Sequence, residues 1–202
     1  MIWKLSHKKY PHIYIILNQL KNRANYGDDV KIFVDYSVKY YSGTAVTKTT
    51  IFLSKKIFAI QQQDSITFNS ILAHEFAHVV NGDTLIQGIK DKRYDNHSRN
   101  LINIIKEIRA EIVGASLMRF KPKDINHSQN TLLKLNQGSK NIKEVYKGMY
   151  PTRVQIKYFA KRYSQLNKDI INYFINSYFK HMKITDIKER KTIRNNVLDR
   201  FI

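Results

Sequence analysis

The sequence predicts an α+β fold that is mostly helical, with one small antiparallel sheet and a basic helical C-terminal region. Strand-like runs of β-branched and aromatic residues lie near the N-terminus, and apolar residues recur at helical spacing through much of the remainder. Of the 202 residues, 43% are hydrophobic, whereas only seven are Gly and three are Pro. That composition can supply a core and argues against a loop-rich or disordered chain.

The first predicted elements are a short helix and two strands. Residues 11–24 read as an amphipathic helix with Pro11 in its first turn, where proline is favoured. The stretches 31–40 and 45–54 read as strands that are joined through residues 42–43. The two strands together predict the small antiparallel sheet.

Two longer helices are predicted at residues 65–81 and 99–119. The first has apolar side chains at helical spacing, Asp64 or Ser65 as its cap, and Gly82 where a helix commonly stops. The second repeats Ile and Leu at intervals of three and four residues, which predicts a broad buried face. Turn-prone residues fill the loop between them. Further helices are predicted at 126–136, 140–149, 152–180 and 184–200.

The chain length fits one domain, or one domain with an extension. We predict a core at residues 1–120 and a basic helical extension at 121–202 that packs on it. No segment reads as a signal peptide or a transmembrane helix. The absence of cysteine excludes disulfides and thiolate metal sites. We therefore expect a cytoplasmic protein, or one that is exported without a classical signal peptide.

Two histidines four residues apart in the first long helix form the most informative motif. His74 and His78 project from one face, so both imidazoles can reach a single zinc ion at roughly 2.0–2.1 Å. Glu75 lies between them, where it can accept a proton from the attacking water. This His-Glu-x-x-His arrangement is typical of zinc peptidases. The alternative is a pair of histidines that only pack in the core.

A third metal ligand has to be His, Asp or Glu, because the chain has no cysteine. The second long helix offers Glu107 and Glu111, which lie one turn apart beside its apolar face. Carboxylates in that position are costly to bury without partners, and a zinc ion for Glu107 and a ligand imidazole for Glu111 would supply them. The alternative is a solvated pair flanked by Lys106 and Arg109.

The two helices together resemble the gluzincin zinc peptidases, in particular the group of the heat-shock membrane protease (HtpX) and the CAAX proteases. Members of that group have a helix similar to residues 73–83 of this chain. A second helix of the form Glu-x-x-Ala-Asp-x-x-Gly-Ala follows it, and residues 107–115 match this form. The short spacing between the two helices is also similar to that of the ImmA/IrrE peptidases of mobile elements.

This resemblance implies a zincin-like fold and zinc-dependent hydrolysis of peptide bonds, by an endopeptidase rather than an exopeptidase. The implied metal ligands are His74, His78 and Glu107. The implied general base is Glu75. At Glu111 the family usually has Asp, so the outer contact to a ligand histidine is made by a longer side chain here.

The residue pattern does not single out the group that stabilises the oxyanion or the strand that binds the substrate. The candidates for stabilising the oxyanion are Tyr150, Arg153 and His127, and the sequence leaves the choice among them open. The strand at Thr49–Ser54 is expected to pair with an extended substrate through main-chain hydrogen bonds.

The chain has a formal net charge of +19. Residues 1–120 contain 17 Lys and Arg against 10 Asp and Glu, and residues 121–202 contain 18 against 6. Basic and aromatic residues alternate at 157–163, which suits nucleic-acid backbones and bases, an acidic protein or an anionic membrane. A solvated face is the simpler interpretation. We therefore predict a peptide or protein substrate, with a possible acidic or nucleic-acid partner at the C-terminal region.

Three other functions fit the same residues. One is a regulatory peptidase of the ImmA/IrrE kind that cuts a DNA-bound repressor, with the basic region as a docking surface. Another is a secreted effector peptidase. The third is not an enzyme: a basic nucleic-acid-binding protein whose zinc is structural or absent.

Overall fold

The computed structural model describes residues 1–39, 41–136 and 150–202, with all their side chains except those of residues 87, 89, 90, 92 and 136. The protein is mixed α+β, as the sequence predicts, with a four-stranded sheet formed within the first 54 residues. The strands are β1 (Ile2–Lys4), β2 (Lys31–Asp35), β3 (Gly43–Thr47) and β4 (Thr50–Ser54), in the spatial order β1-β2-β4-β3.

The sheet is mixed, so the prediction of an antiparallel sheet is wrong. β2 and β4 run parallel, with Ile32 beside Ile51, whereas β1 and β3 each pair antiparallel with a neighbour. The parallel pair arises because the connection after β2 passes beyond the position of β4 and enters the edge strand β3 first. The chain then turns back, and β4 fills the place between β2 and β3.

The predicted strand at residues 45–54 is a hairpin instead of a single strand. Its turn is closed by a hydrogen bond from the Thr49 N–H to Thr47 Oγ1, at 3.1 Å. No glycine or proline marks this turn, so the sequence reads as one continuous β-prone run. Because β4 has a neighbouring strand on each side, it cannot accept a substrate strand as expected, and β3 is the edge strand on that side of the sheet.

Capping residues set the start of the helices in the first half of the chain. Pro11 lies in the first turn of α1, and the side chains of Ser54 and Asp64 each accept a hydrogen bond from a backbone N–H of the helix that follows. Gly82, with φ of 67°, follows the end of α3. These helices are α1 (Pro11–Arg23), α2 (Lys55–Ile60), α3 (Ser65–Val80), α4 (Leu85–Lys90) and α5 (Asn96–Met118).

The two long helices and the first helix are confirmed, but other boundaries differ from the prediction. The expected loop between α3 and α5 contains α4 and a turn of 3-10 helix at Asp91–Arg93. The helix predicted at 152–180 is two helices with a break at 161–167, and the one predicted at 140–149 lies outside the described residues. The later helices are α6 (Pro122–Asn136), α7 (Arg153–Ala160), α8 (Lys168–Met182) and α9 (Ile187–Phe201).

Two hydrophobic clusters meet at α5. The first lies between the sheet and α1, α2 and α3, with Phe68 and Phe76 of α3 fully buried in it. The second joins α5 to α7, α8 and α9, and its α5 members include Leu101, Ile105 and Ile112. The predicted extension thus packs on a helix of the predicted core, while the division at residue 120 stays a prediction. Among the described residues, no helix is long and apolar enough to cross a membrane.

Candidate metal centre

The side chains of His74, His78 and Glu107 converge between α3 and α5. The Nε2 atoms of the two histidines are 3.1 Å apart. Glu107 Oε2 lies 3.3 Å from His74 Nε2, and Glu107 Oε1 lies 3.6 Å from His78 Nε2. The structure therefore brings together the three residues that the sequence suggested as metal ligands.

The separations among these atoms suit a tetrahedral metal ion. When metal–ligand bonds are about 2.0–2.1 Å long, the ligand atoms of a tetrahedral site lie about 3.3–3.4 Å from one another. The Nε2 atoms of the two histidines, at 3.1 Å, and the pair His74 Nε2 and Glu107 Oε2, at 3.3 Å, are close to that value, while the other oxygen of Glu107 lies 3.6 Å from His78 Nε2. Two imidazoles and one carboxylate are also a donor set that catalytic zinc sites use. The residues present therefore fit zinc.

Close packing of α3 against α5 makes this convergence possible. A β-carbon built on Gly114 would lie 3.0 Å from the carbonyl carbon and oxygen of Ala73 and from the backbone nitrogen of His74. Glycine at this position lets the two backbones approach more closely than a side chain would allow. Glu107 lies two helical turns before Gly114, on the same face of α5, so the close contact directs its carboxylate towards α3.

The buried carboxylate of Glu75 lies against strand β3. A β-carbon built on Gly43 would be 2.6 Å from both Cγ and Oε1 of Glu75, so only glycine leaves room for this side chain. The backbone N–H of Ala45 donates a hydrogen bond to the Glu75 carboxylate. Burial nevertheless raises the pKa of Glu75 to about 7. The edge strand thus places a glutamate of near-neutral pKa next to the converging ligands.

The electrostatics of the cluster favour a positive charge between the two carboxylates of α5. Burial alone would lower the pKa of His74, but hydrogen bonds and charges from Glu107 and Glu111 outweigh it and hold this pKa well above its ordinary value. Burial and the charge of His74 lower the pKa of His78 to about 4. A bound cation would neutralise the same two carboxylates, Glu107 and Glu111, that a proton on His74 neutralises. The electrostatics therefore agree with the fit to a metal ion.

Glu111 lies on the outer side of His74, as the sequence suggested. Its Oε1 atom is 3.5 Å from His74 Nδ1, a distance for charge pairing that is longer than a good N–H···O hydrogen bond. Burial would raise the pKa of Glu111, but the nearby His74 outweighs this effect, so the pKa lies below its ordinary value, and the charge of Arg153 adds to the lowering. The Glu111 side chain is 14% exposed and its carboxylate is paired with His74, which favours the outer-contact interpretation over the solvated one.

The three candidates for stabilising the oxyanion lie in different places. Tyr150 is near enough to Glu107 and Glu75 for their charges, with burial, to raise the pKa of its hydroxyl to about 12. Arg153 donates a hydrogen bond to Gln129 instead, outside the ligand cluster.

His127 is bonded elsewhere. Its Nε2 atom is 2.8 Å from Asp64 Oδ2, at the start of α3. Asp64 precedes His74 by ten residues, roughly 15 Å along the helix, so His127 does not reach the metal ligands. Of the three candidates, Tyr150 is the one whose pKa is raised by the charges of Glu107 and Glu75.

Three residues contribute to the site through contacts that the sequence does not indicate. Gly43 reads as an ordinary turn residue, and Gln129 is one polar residue among many in α6. Gly114 belongs to the matched family pattern, but the pattern does not reveal its backbone contact with Ala73. All three act through contacts between elements that are distant in sequence, which periodicity cannot report.

A buried charge cluster adjoins the end of α3. Arg109 Nε donates to Asp83 Oδ2 at 3.0 Å, and Arg200 Nη2 donates to Asp83 Oδ1 at 3.2 Å. Lys106 bonds to Asp91, and Arg200 Nε lies 3.4 Å from the other oxygen of Asp91. The Asp83 N–H donates to the carbonyl oxygen of the ligand residue His78, at 2.8 Å. The C-terminal helix is thereby tied to the segment that follows the metal ligands.

Comparison with known proteins found no matching family model, no matching curated protein and no matching solved structure.

Proposed function

We propose that the protein is a zinc-dependent peptidase with a zincin-like fold, a compact gluzincin that hydrolyses peptide bonds. The main support is one arrangement: His74, His78 and Glu107 converge at distances that suit zinc, and Glu75 lies beside them, buried and oriented by a backbone N–H. The resemblance of the two site helices to gluzincins points to the same activity.

Zinc would be held by His74, His78 and Glu107, and when bound it supplies Lewis-acid polarisation of the scissile carbonyl and of the attacking water. Glu75 accepts the proton of that water and returns it to the leaving amine. A carboxylate in this position can act as base in the first transfer and as acid in the second. The Ala45 N–H donates a hydrogen bond to this carboxylate.

Tyr150 is our choice for the oxyanion donor. The negative charges of Glu107 and Glu75 help to raise the pKa of its hydroxyl to about 12, so the group keeps its proton near neutral pH. A hydroxyl that stays protonated can donate a hydrogen bond to the negative oxygen that develops on the carbonyl. Removing one such donor typically costs about 10²–10³ in kcat.

The edge strand β3 is the element that suits an extended peptide substrate. It forms one side of the sheet, and it contacts the proposed general base through Gly43 and Ala45. A peptide that adds to a sheet edge is held by main-chain hydrogen bonds, which set its register without regard to side chains. The strand at residues 49–54, for which we expected this role, has a neighbouring strand on each side. We therefore assign the role to β3.

The decisive experiment compares wild-type protein with Glu75→Gln and with Glu189→Gln, a matched change at a half-exposed glutamate of α9. Zinc is measured by elemental analysis, and cleavage is followed by mass spectrometry on peptides from a proteome digest. We expect about one zinc per chain in all three proteins. Cleavage should fall by at least about 10² in Glu75→Gln alone.

Three outcomes would contradict the proposal. If the wild-type protein binds no zinc and cuts no peptide, the peptidase assignment is wrong. If zinc is bound and cleavage is unchanged in Glu75→Gln, Glu75 is not the general base. If zinc is bound and no peptide is cut, a binding function without hydrolysis becomes the better interpretation.

A further inference from the structure

A chain of polar side chains runs from the C-terminal helices to the ligand His74. Arg153 Nη1, in α7, donates to Gln129 Oε1, in α6, at 2.5 Å. Gln129 Nε2 donates to Glu111 Oε2 at 3.0 Å. The other oxygen of Glu111 is the one that lies 3.5 Å from His74 Nδ1. Four helices thus contribute one side chain each.

The centre of this chain is desolvated. Gln129 is 1% exposed, and the cavity that it borders together with His74 and Glu111 has a volume of about 10 Å³, which is room for about one water molecule. A buried amide or carboxylate that lacks partners costs roughly 1–3 kcal/mol or more. Because Gln129 is buried, its amide oxygen and nitrogen need partners, and Arg153 and Glu111 supply them.

Glutamine is chemically suited to the middle position. A guanidinium only donates hydrogen bonds and an ionised carboxylate only accepts them, whereas an amide accepts at its oxygen and donates at its nitrogen. Arg153 therefore fixes which end of Gln129 faces Glu111. The amide in turn occupies Oε2 of Glu111 and leaves Oε1 directed at the imidazole.

We infer that Gln129 and Arg153 are positioning residues of the metal centre: they hold Glu111 against His74 Nδ1, so that His74 Nε2 faces the metal site. The inference rests on the proposed function. It makes the helices beyond residue 120 part of the site, because the outer support of one ligand comes from α6 and α7. Outer partners of metal ligands orient the ligand and commonly change metal affinity by about 10–100-fold when lost.

The competing explanation is that these contacts only hold α6 against α7. The structure offers a control for it, because Lys157 Nζ donates to Asn130 Oδ1, the next residue along α6. That exposed contact joins the same two helices and does not lead to Glu111. A purely structural role predicts similar effects from Arg153→Met and Lys157→Met, whereas a positioning role predicts different ones.

The test is a zinc competition titration against a chromophoric chelator, with the fold of each variant checked by circular dichroism. We expect Gln129→Met to weaken zinc binding about 10-fold, the lower end of the range for outer partners. Arg153→Met should weaken it at least about threefold. Gln129 then loses the donor that orients its amide but keeps the N–H group that donates to Glu111. Lys157→Met should leave the affinity unchanged, and Arg153→Lys, which keeps a donor, should recover most of the loss.

A double-mutant cycle separates the two explanations further. In the Glu111→Gln background, Gln129→Met should cost little or no additional zinc affinity, because the carboxylate that it positions is gone. An equal loss in both backgrounds, or equal losses in Arg153→Met and Lys157→Met, would overturn the inference. Equal zinc affinity of wild-type protein and Gln129→Met would overturn it while leaving the proposed function intact. A wild-type protein that binds no zinc would overturn both.

Discussion

Glu75 lies directly against Gly43, at a distance that no other residue type at position 43 would permit. A β-carbon there would come within 2.6 Å of the Glu75 side chain, whereas one on Gly27 would meet nothing within 4 Å. The three atoms nearest to that β-carbon all belong to Glu75, and none belongs to a proposed metal ligand. The position of the proposed base and the holding of metal can therefore be perturbed separately.

Gly43→Ala should reduce peptidase activity by at least about 10-fold while leaving zinc content near one per chain, because the methyl group displaces the Glu75 carboxylate and not the ligands. Gly27→Ala is the matched control and should be neutral. Activity and zinc content are measured on the same preparations. Full activity in Gly43→Ala would show that the carboxylate reaches its working position by another route.

Gly114→Ala should weaken zinc binding and lower the free energy of unfolding. The added methyl group meets backbone atoms of Ala73 and His74 at 3.0 Å, so α3 and α5 have to separate. Overpacking of this kind costs about 1–3 kcal/mol, which exceeds the gain of about 1 kcal/mol in helix propensity. Gly88→Ala, in α4, meets nothing within 4 Å and should only gain that propensity. Urea titrations and zinc titrations of both variants would show whether this difference exists.

Asp64→Asn should destabilise the protein near neutral pH and have no effect in strong acid. Burial alone would raise the pKa of Asp64, but hydrogen bonds from Thr67 and His127 outweigh it, so this pKa lies below its ordinary value of 3.8. The charge at the start of α3 therefore stabilises the fold above about pH 4, and this contribution disappears as the pH falls through the folded-state pKa. We expect a loss of about 0.5–1 kcal/mol at pH 7, since Asn still caps the helix but lacks the charge.

The measurement for Asp64→Asn is the free energy of unfolding at pH 7 and near pH 3, relative to the wild-type protein. A difference that is the same at both values would mean that the carboxylate acts through packing and not through its charge.

Arg200→Met should lower the free energy of unfolding by about 3 kcal/mol, the lower end of the cost of breaking a buried ion pair. Asp83 keeps Arg109 and Asp91 keeps Lys106, so neither carboxylate loses every partner. Arg194→Met, which removes an arginine of the same helix that bonds Asn176, serves as the control and should cost less than about 1 kcal/mol. Equal losses in the two variants, from chemical denaturation, would mean that the cluster is no more stabilising than a surface contact.

Residues related by helical spacing could be predicted from the sequence. His74 and His78 share one face of α3 because they are four apart, and Glu107 and Glu111 do so on α5, so each helix revealed its own contribution to the site. The helix cap at Asp64 and the helix end near Gly82 also depend only on neighbouring residues, and the structure has both where the sequence predicted them.

Contacts between distant elements could not be predicted in this way. The turn at Lys48 has no glycine or proline, so a hairpin read as one strand, and the order of the strands depends on a crossover that no local pattern records. The approach of Gly43 to Glu75 and the bonding of Gln129 to Glu111 depend on how sheets and helices pack. Both involve common residue types whose role appears only when the partner is known.

Because α5 packs against both hydrophobic clusters and also carries Glu107, binding of a metal ion there would be thermodynamically linked to global folding. A ligand that binds only the folded state adds about 2.7 kcal/mol to its stability at a hundred times its dissociation constant. Zinc that bridges α3 and α5 would therefore stabilise the N-terminal sheet and the C-terminal helices together. Chelation should lower the melting temperature of both in one transition.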